Sequence, residues 1–180
     1  MFLFAVIIAA VFLGIITCKN LLYPLDYQDI IVKNANDNNL DPCLVMAVLK
    51  TESNFIEDAH SGKASGLMQL TDDTAYWVAE RIGMDARNIN LMNPRDNIKL
   101  GCYYMRYLID YYDGNVDVAL AAYNGGMGNV DRWLDDRKYS PDGISLEYIP
   151  FKETREYVKR VKSERIIYEK MTQAEAKIKN

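Results

Sequence analysis

The chain has 180 residues, 21 Lys and Arg against 25 Asp and Glu, and a formal net charge of −4. A hydrophobic share of 49% with 26% charged residues is ordinary globular composition; it excludes general disorder, and the length suits one domain. The acidic balance speaks against nucleic acid as a partner, the single His excludes a multi-histidine metal site, and three Cys make no disulfide framework.

An uncharged run extends from Phe2 to Cys18. It falls at the lower end of the roughly 17–25 apolar residues that a membrane helix needs, and Leu21, Leu22 and Tyr23 prolong it past Lys19. Apolar all round and N-terminal, it reads as a membrane signal rather than a core helix. The preferred reading is an uncleaved signal anchor over residues 1–25, which places residues 26–180 outside the cytoplasmic membrane. A cleaved signal stays open, and so does a lipoprotein, since Ile15-Ile16-Thr17-Cys18 faintly resembles a lipoprotein cleavage site.

After Pro24 the pattern is helical. Tyr27, Ile30, Ile31 and Ala35 keep helical spacing up to Asn38-Asn39. Asp41-Pro42 is a start signal, an N-cap followed by Pro at the first helical position. Val45, Val48, Leu49 and Glu52 then share one face. Residues 53–70 read as a loop. Ala75, Val78, Ala79 and Ile82 mark a helix closed by Gly83, and Asn93-Pro94 opens a long one with Ile98, Cys102, Met105, Leu108, Ile109 and Tyr112 inward. A short buried helix carries Val116, Ala119, Leu120 and Tyr123; Gly125, Gly126 and Gly128 break it before Val130 and Trp133. Residues 135–149 read as a surface loop, and Pro150 precedes an amphipathic helix reaching about Met171. No strand of any length and no internal repeat is visible.

Glu52 stands out, because it closes an otherwise apolar helix face. Drawn toward the core, its carboxyl loses solvation and its pKa rises. A carboxylic acid still protonated near neutral pH can donate a proton to a leaving glycosidic oxygen. The alternative is a helix-end Glu turned outward to water. Three further segments bear on the choice. In Gly66-Leu67-Met68-Gln69, a Gly lets the backbone approach a ligand, and Gln69 carries donors and an acceptor suited to sugar hydroxyl or acetamido groups. Ala122-Tyr123-Asn124-Gly125-Gly126 places an aromatic and an amide beside two Gly, and reads equally as a helix C-cap. The third, Ile149-Pro150-Phe151 with Glu153, Thr154, Arg155, Tyr157 and Val158, puts a Tyr, a Glu and an Arg near a helix start, facing either a cleft or solvent.

Together with Glu52-Ser53, these segments in this order resemble the bacterial lytic transglycosylases with a goose-type lysozyme-like domain, the soluble lytic transglycosylase family. The resemblance covers about residues 40–168. It implies an all-α fold with at most minimal strand content, a lysozyme-like helical domain with an elongated glycan groove, here preceded by the one N-terminal membrane helix. It implies cleavage of the β-1,4 bond between N-acetylmuramic acid and N-acetylglucosamine in peptidoglycan, without water, to give 1,6-anhydromuramoyl products. By resemblance, Glu52 is the lone general acid and then base. Ser61, Met68, Gln69, Tyr123, Asn124 and Glu153 line the groove near it as substrate-binding residues, with Tyr157 near the cleft wall. Glu153 orients water or sugar, or else pairs with Arg155. No metal or organic cofactor is implied.

Two other functions fit the same residues. A membrane-anchored muramidase would need a second carboxylate to orient water, with Asp58, Asp72, Asp73 and Glu153 as candidates. A non-catalytic peptidoglycan-binding scaffold would keep the groove without needing Glu52. Expected partners are glycan strands and, through residues 1–25, the membrane at the extracytoplasmic face of the cell envelope; wall-synthesis, secretion or conjugation machinery is compatible. Cys43 and Cys102 fall on inward faces and read as buried thiols rather than a disulfide. His60 reads as a loop residue or a sugar contact, and the charges of the last helix as solvated or paired along it.

Overall fold

The computed structural model describes residues 23–178, with side chains described through residue 174. Among these residues the chain forms α1 (Gln28–Asp37), α2 (Pro42–Ser53), three short strands β1 (His60–Ser61), β2 (Ala64–Ser65) and β3 (Leu70–Thr71), then α3 (Asp72–Ile82), a 3-10 turn (Ala86–Asn88), α4 (Pro94–Tyr111), α5 (Val116–Gly125), α6 (Met127–Asp135) and α7 (Lys152–Ile178). The apolar run Phe2–Cys18 lies outside the described residues. Among the described ones, no helix is long and apolar enough to cross a membrane.

Helix starts follow local chemistry. The Asp41 carboxylate accepts from the Cys43 amide (2.8 Å), with Pro42 at the first position of α2. Asn93 and Pro94 repeat this at α4, where Asn93 Oδ1 accepts from the Arg95 amide (2.9 Å). Thr71 caps α3 and Asn115 caps α5 by the same device.

Helix α2 is the core of the domain. Cys43 through Leu49 are all buried, so the helix is enclosed all round rather than along one face. It packs most extensively on α7 and also on α1, while α5 is held between α4, α6 and α7. A second, smaller core forms under α3 from Leu70, Ala75, Val78, Ala79, Leu91 and Leu100. Tyr104 and Tyr123 pack against both cores. Cys43 and Cys102 are free buried thiols. On α7, Arg165 pairs with Asp41, the N-cap of α2 (2.8 Å), and with Glu169 one turn on (2.9 Å), and Lys159 with Glu156 (3.3 Å).

Three expectations need correction. The segment 53–70, read as a loop, carries an antiparallel sheet in the order β1-β2-β3, with His60 opposite Ser65 and Ser65 opposite Leu70. Strands of two residues are too short for alternation to show. Gly128 lies inside α6, and the break falls at Gly126 with φ 82°. The last helix runs past Met171 to Ile178; its final residues lack Gly and Pro, so propensity carries it beyond the amphipathic stretch.

One buried polar residue joins the sheet to the helices. Asn97 is fully buried in α4. Its Oδ1 accepts from the Met68 amide (2.7 Å), and its Nδ2 donates to the carbonyls of Ser65 (3.0 Å) and Leu91 (3.0 Å). Gly66 lies in this brace at φ 78°, where an added Cβ would fall 2.0 Å from the Leu91 carbonyl and 2.3 Å from Asn97 Nδ2. Only glycine fits there. Asn97→Ala strands three buried backbone groups and is expected to destabilise the fold by about 3 kcal/mol. Thermal melting checks this, and an unchanged Tm would refute the brace.

Candidate active site

Glu52 occupies the last turn of α2. Immediately beyond Ser53 the backbone enters the left-handed region twice, at Asn54 (φ 53°) and Phe55 (φ 65°). Asn tolerates this conformation, whereas for Phe it is strained. Phe55 is buried nonetheless, with its ring centroid 6.3 Å from that of Tyr168. Glu52, Ser53 and Asn54 together line a cavity at this end of α2. The Ser53 hydroxyl, buried, bonds the carbonyls of Leu49 (3.1 Å) and Leu67 (2.9 Å), tying this turn to the Gly66–Gln69 segment.

Two tyrosines border the carboxyl. The Tyr123 hydroxyl donates to the Met68 carbonyl (2.7 Å). The Tyr157 hydroxyl is buried with no partner in full hydrogen-bond geometry among the described residues. It nevertheless lies close enough to Glu52 to favour the charged carboxylate. Desolvation dominates: it lifts the Glu52 pKa from an ordinary 4.5 to about 7, against the pull of Tyr157 and with a smaller upward push from the charge of Glu153. Both tyrosines are driven well above the ordinary phenol range, first by burial and then by Glu52 itself. They stay protonated and remain donors. Glu52 is therefore half-protonated near neutral pH, with fixed phenols around it.

The other residues singled out in the sequence divide into groups. Glu153 stands exposed in the first turn of α7 and acts on Glu52 through its charge. It makes no ion pair with Arg155, whose guanidinium donates to the Ile149 carbonyl (2.6 Å) and lies over the Tyr148 ring at 5.0 Å. Asn124 is half-buried in the last turn of α5 beside Tyr123. The Ser61 hydroxyl donates to Gln69 Oε1 (2.7 Å), and Gln69 Nε2 donates to the carbonyls of Ala59 (3.0 Å) and Gly66 (2.8 Å). The Gln69 amide is thus spent within its own segment, at a left-handed φ of 46°. Ser61 remains exposed. Met68 departs from expectation: its side chain is fully buried against Gly101, where a Cβ would meet its sulfur at 2.3 Å, and only its backbone serves the site. His60 is exposed and shares a hydrogen bond with Ser65 (2.9 Å).

Asn97 and Tyr104 also serve the site, though the sequence motifs do not include them. Tyr104 packs its ring 5.5 Å from that of Tyr123, and Trp77 adds a T-shaped contact at 6.1 Å. A polar residue among the inward positions of α4 was the available signal for Asn97. Among the described residues, no group of three or more His, Cys, Asp or Glu is placed to hold a metal ion.

Residues 29–144 match the family model described as the transglycosylase SLT domain. The chain belongs to the SLT transglycosylase domain family. Among relatives of the SLT chain, the soluble lytic murein transglycosylase of Salmonella typhimurium is 34% identical over 143 residues, which are 77% of this chain and 22% of that protein. The membrane-bound lytic murein transglycosylase C of Yersinia enterocolitica is 31% identical over 124 residues, 62% of this chain and 34% of that one. The chain thus spans about a fifth of the length of its soluble relatives. A solved structure of an inactive glutamate-to-glutamine mutant of lytic transglycosylase Slt from Pseudomonas aeruginosa superposes with a TM-score of 0.75 at 33% identity, over 87% of this chain and 26% of that one. The 70 kDa soluble lytic transglycosylase of Escherichia coli gives 0.72 at 28%, over 83% and 25%.

The raised Glu52 pKa has a stability consequence in this SLT domain. The folded state holds the proton more tightly than the unfolded chain, so the group's contribution is complete below pH 4.5 and lost as pH rises through about 7. Glu52→Gln, which cannot ionise, should gain roughly 2–3 kcal/mol relative to the parent between about pH 4 and about pH 8. Denaturant unfolding at the two pH values measures it; a difference independent of pH would show that the carboxyl is solvated.

Proposed function

We propose that the chain is a peptidoglycan lytic transglycosylase with Glu52 as its single acid and base. The observation that carries this is the carboxyl at the end of α2, desolvated to a pKa of about 7 and bordered by protonated Tyr123 and Tyr157. In the proposed reaction, protonated Glu52 donates to the oxygen of the β-1,4 bond between N-acetylmuramic acid and N-acetylglucosamine. The bond breaks as positive charge develops at the muramoyl C1. The muramoyl C6 hydroxyl then attacks C1, Glu52 takes its proton, and a 1,6-anhydro ring closes. No water is consumed, and the enzyme returns to its starting protonation state. An intramolecular nucleophile supplies what a second carboxylate would otherwise prepare from water.

The tyrosines serve the charged half of the cycle. Once Glu52 has given up its proton, the unpartnered Tyr157 hydroxyl is at hand as a donor to the carboxylate. Ser61, Asn124 and Glu153 present polar atoms for sugar hydroxyl and acetamido groups. Gln69 holds Ser61, and Met68 offers its backbone to Tyr123. The names of the relatives support this reading, as does the inactive glutamate-to-glutamine mutant of the Pseudomonas protein. We place residues 26–180 as the catalytic domain and residues 1–25 as a membrane anchor or signal, which puts the domain on the extracytoplasmic side of the envelope. That placement rests on the apolar run Phe2–Cys18.

Three outcomes are expected. Glu52→Gln loses at least about a thousandfold in cleavage of purified sacculi while still binding glycan strands. Mass spectrometry of the parent's products finds 1,6-anhydromuramoyl ends; reducing ends instead would assign a muramidase, with Glu153 as the carboxylate nearest in effect to Glu52. Because the acid must start protonated, activity falls as pH rises through about 7.

A further inference from the structure

Residues 23–27 form an irregular strap ahead of α1, and its side chains reach the turn that follows Glu52. The Tyr23 ring meets Tyr168 of α7 edge-on, with centroids 5.9 Å apart, and Tyr168 meets Phe55 at 6.3 Å. Tyr168 is fully buried, and its hydroxyl donates to the Pro24 carbonyl (3.4 Å). Lys50 of α2 lies over the Tyr23 ring at 5.4 Å and donates to the side-chain oxygen of Asn54. The Tyr27 hydroxyl donates to Glu57 Oε2 (2.9 Å). Burial and this bond push the Tyr27 phenol up to about 12, so it stays a donor throughout the range in which Glu52 titrates.

The turn needs such support. Asn54 and Phe55 are both left-handed, and strained backbone persists only where its surroundings hold it. Tyr27 is itself left-handed at φ 62°, another outlier for a bulky side chain, and that side chain makes no cap for α1. Strained residues on two separate segments are thus joined to each other. The strap holds Asn54 through Lys50, Phe55 through Tyr168, and Glu57 directly. We propose that this strap is a positioning element of the active site, in which Tyr23 and Tyr27 fix the Asn54–Glu57 turn and so keep Glu52 enclosed. The proposal rests on the reading of Glu52 as the reacting acid. Tyr23 ends the apolar stretch of the sequence, yet its ring packs within the domain. A boundary drawn at residue 26 therefore omits part of this support, and the strap joins the proposed anchor directly to the catalytic turn.

Two readouts on the full chain in detergent micelles test this. One is the NMR titration of the Glu52 carboxyl carbon, assigned with Glu52→Gln; the other is turnover of purified glycan strands. Tyr23→Ala is expected to let water reach the carboxyl, so that its titration moves down from about 7 toward the ordinary range. Turnover should fall about tenfold with KM nearly unchanged. Tyr23→Phe, which keeps the ring, should restore both. Tyr27→Phe removes only a hydroxyl with an exposed bond, so it should keep the parent's melting temperature while moving the titration the same way. Glu57→Gln, which loses the charge but keeps an acceptor for Tyr27, should titrate as the parent does. The titratable groups that face Glu52 are Tyr123, Tyr157 and Glu153, with Lys50, His60, Arg160 and Glu164 in the adjoining cavity. All are retained in these variants, so a shift reports the turn. An unmoved titration in Tyr23→Ala and Tyr27→Phe overturns the proposal, whether or not turnover falls, since a loss of turnover alone marks a merely structural role. If Tyr23→Ala melts early, Tyr27→Phe decides. Failure of the transglycosylase reading would appear separately, as a parent whose titration responds to the variants but whose products carry no anhydromuramoyl ends.

Discussion

Desolvation of one carboxyl group is the constraint on which the rest of the structure turns. A solvated Glu at a helix end would be fully ionised at neutral pH and could donate nothing. Glu52 escapes this because α2 is enclosed by α1 and α7, and because the chain leaves the helix through two successive left-handed residues, Asn54 and Phe55. That exit is strained, yet Phe55 is still buried. Strain beside a desolvated acid is what a site held in place by its surroundings should show. The surroundings here are specific: Ser53 ties the turn to Leu67, and Asn97 ties Met68 to α4.

The Gly66–Gln69 segment shows how such a site is assembled from backbone. Leu67 offers its carbonyl to Ser53, Met68 its amide to Asn97 and its carbonyl to Tyr123. Three helices, α2, α4 and α5, thus reach one dipeptide. The side chains of Leu67 and Met68 meanwhile fill the core. Tyr123 packs against both the main core and the smaller one under α3, so a phenol bordering Glu52 is also a joint between two packed units.

These roles differ in how readable they are from sequence. Helix starts are local events, so Asp41-Pro42 and Asn93-Pro94 announce α2 and α4 directly. A polar residue on an apolar face is nearly as plain, and Glu52 is visible for that reason. The same logic applied to α4 singles out Asn97, but an amide has no titration to suggest chemistry and passes for an ordinary helix residue. Motif adjacency misleads in the opposite direction. Met68 and Gln69 sit beside the site in sequence, which does not distinguish a side chain facing the groove from one facing inward. The structure gives Met68 to the core and spends the Gln69 amide on its own segment. The two-residue strands are too short to leave a period. Arg160 and Glu164 look like surface helix charges, because only the packing of α7 on α2 brings them to the cavity beside Glu52.

The proposed chemistry accounts for so spare a site. A hydrolase must hold and deprotonate water, which calls for a second carboxylate at a controlled distance. A muramoyl C6 hydroxyl belongs to the ring that it attacks, so its effective concentration is already high and its position nearly fixed by the sugar. In the proposed reaction the protein is left with one proton to lend and recover, and a carboxyl near pKa 7 suits both transfers. Protonated phenols suit the interval between them. Tyr123 and Tyr157 cannot compete for the proton, because burial and Glu52 keep their own acidities far from neutral. In that proposed cycle the Tyr157 hydroxyl serves as a donor, and it donates best when Glu52 is charged. An apolar enclosure that raises the acid's pKa, together with a donor that steadies its conjugate base, lets one residue serve as acid and base in turn.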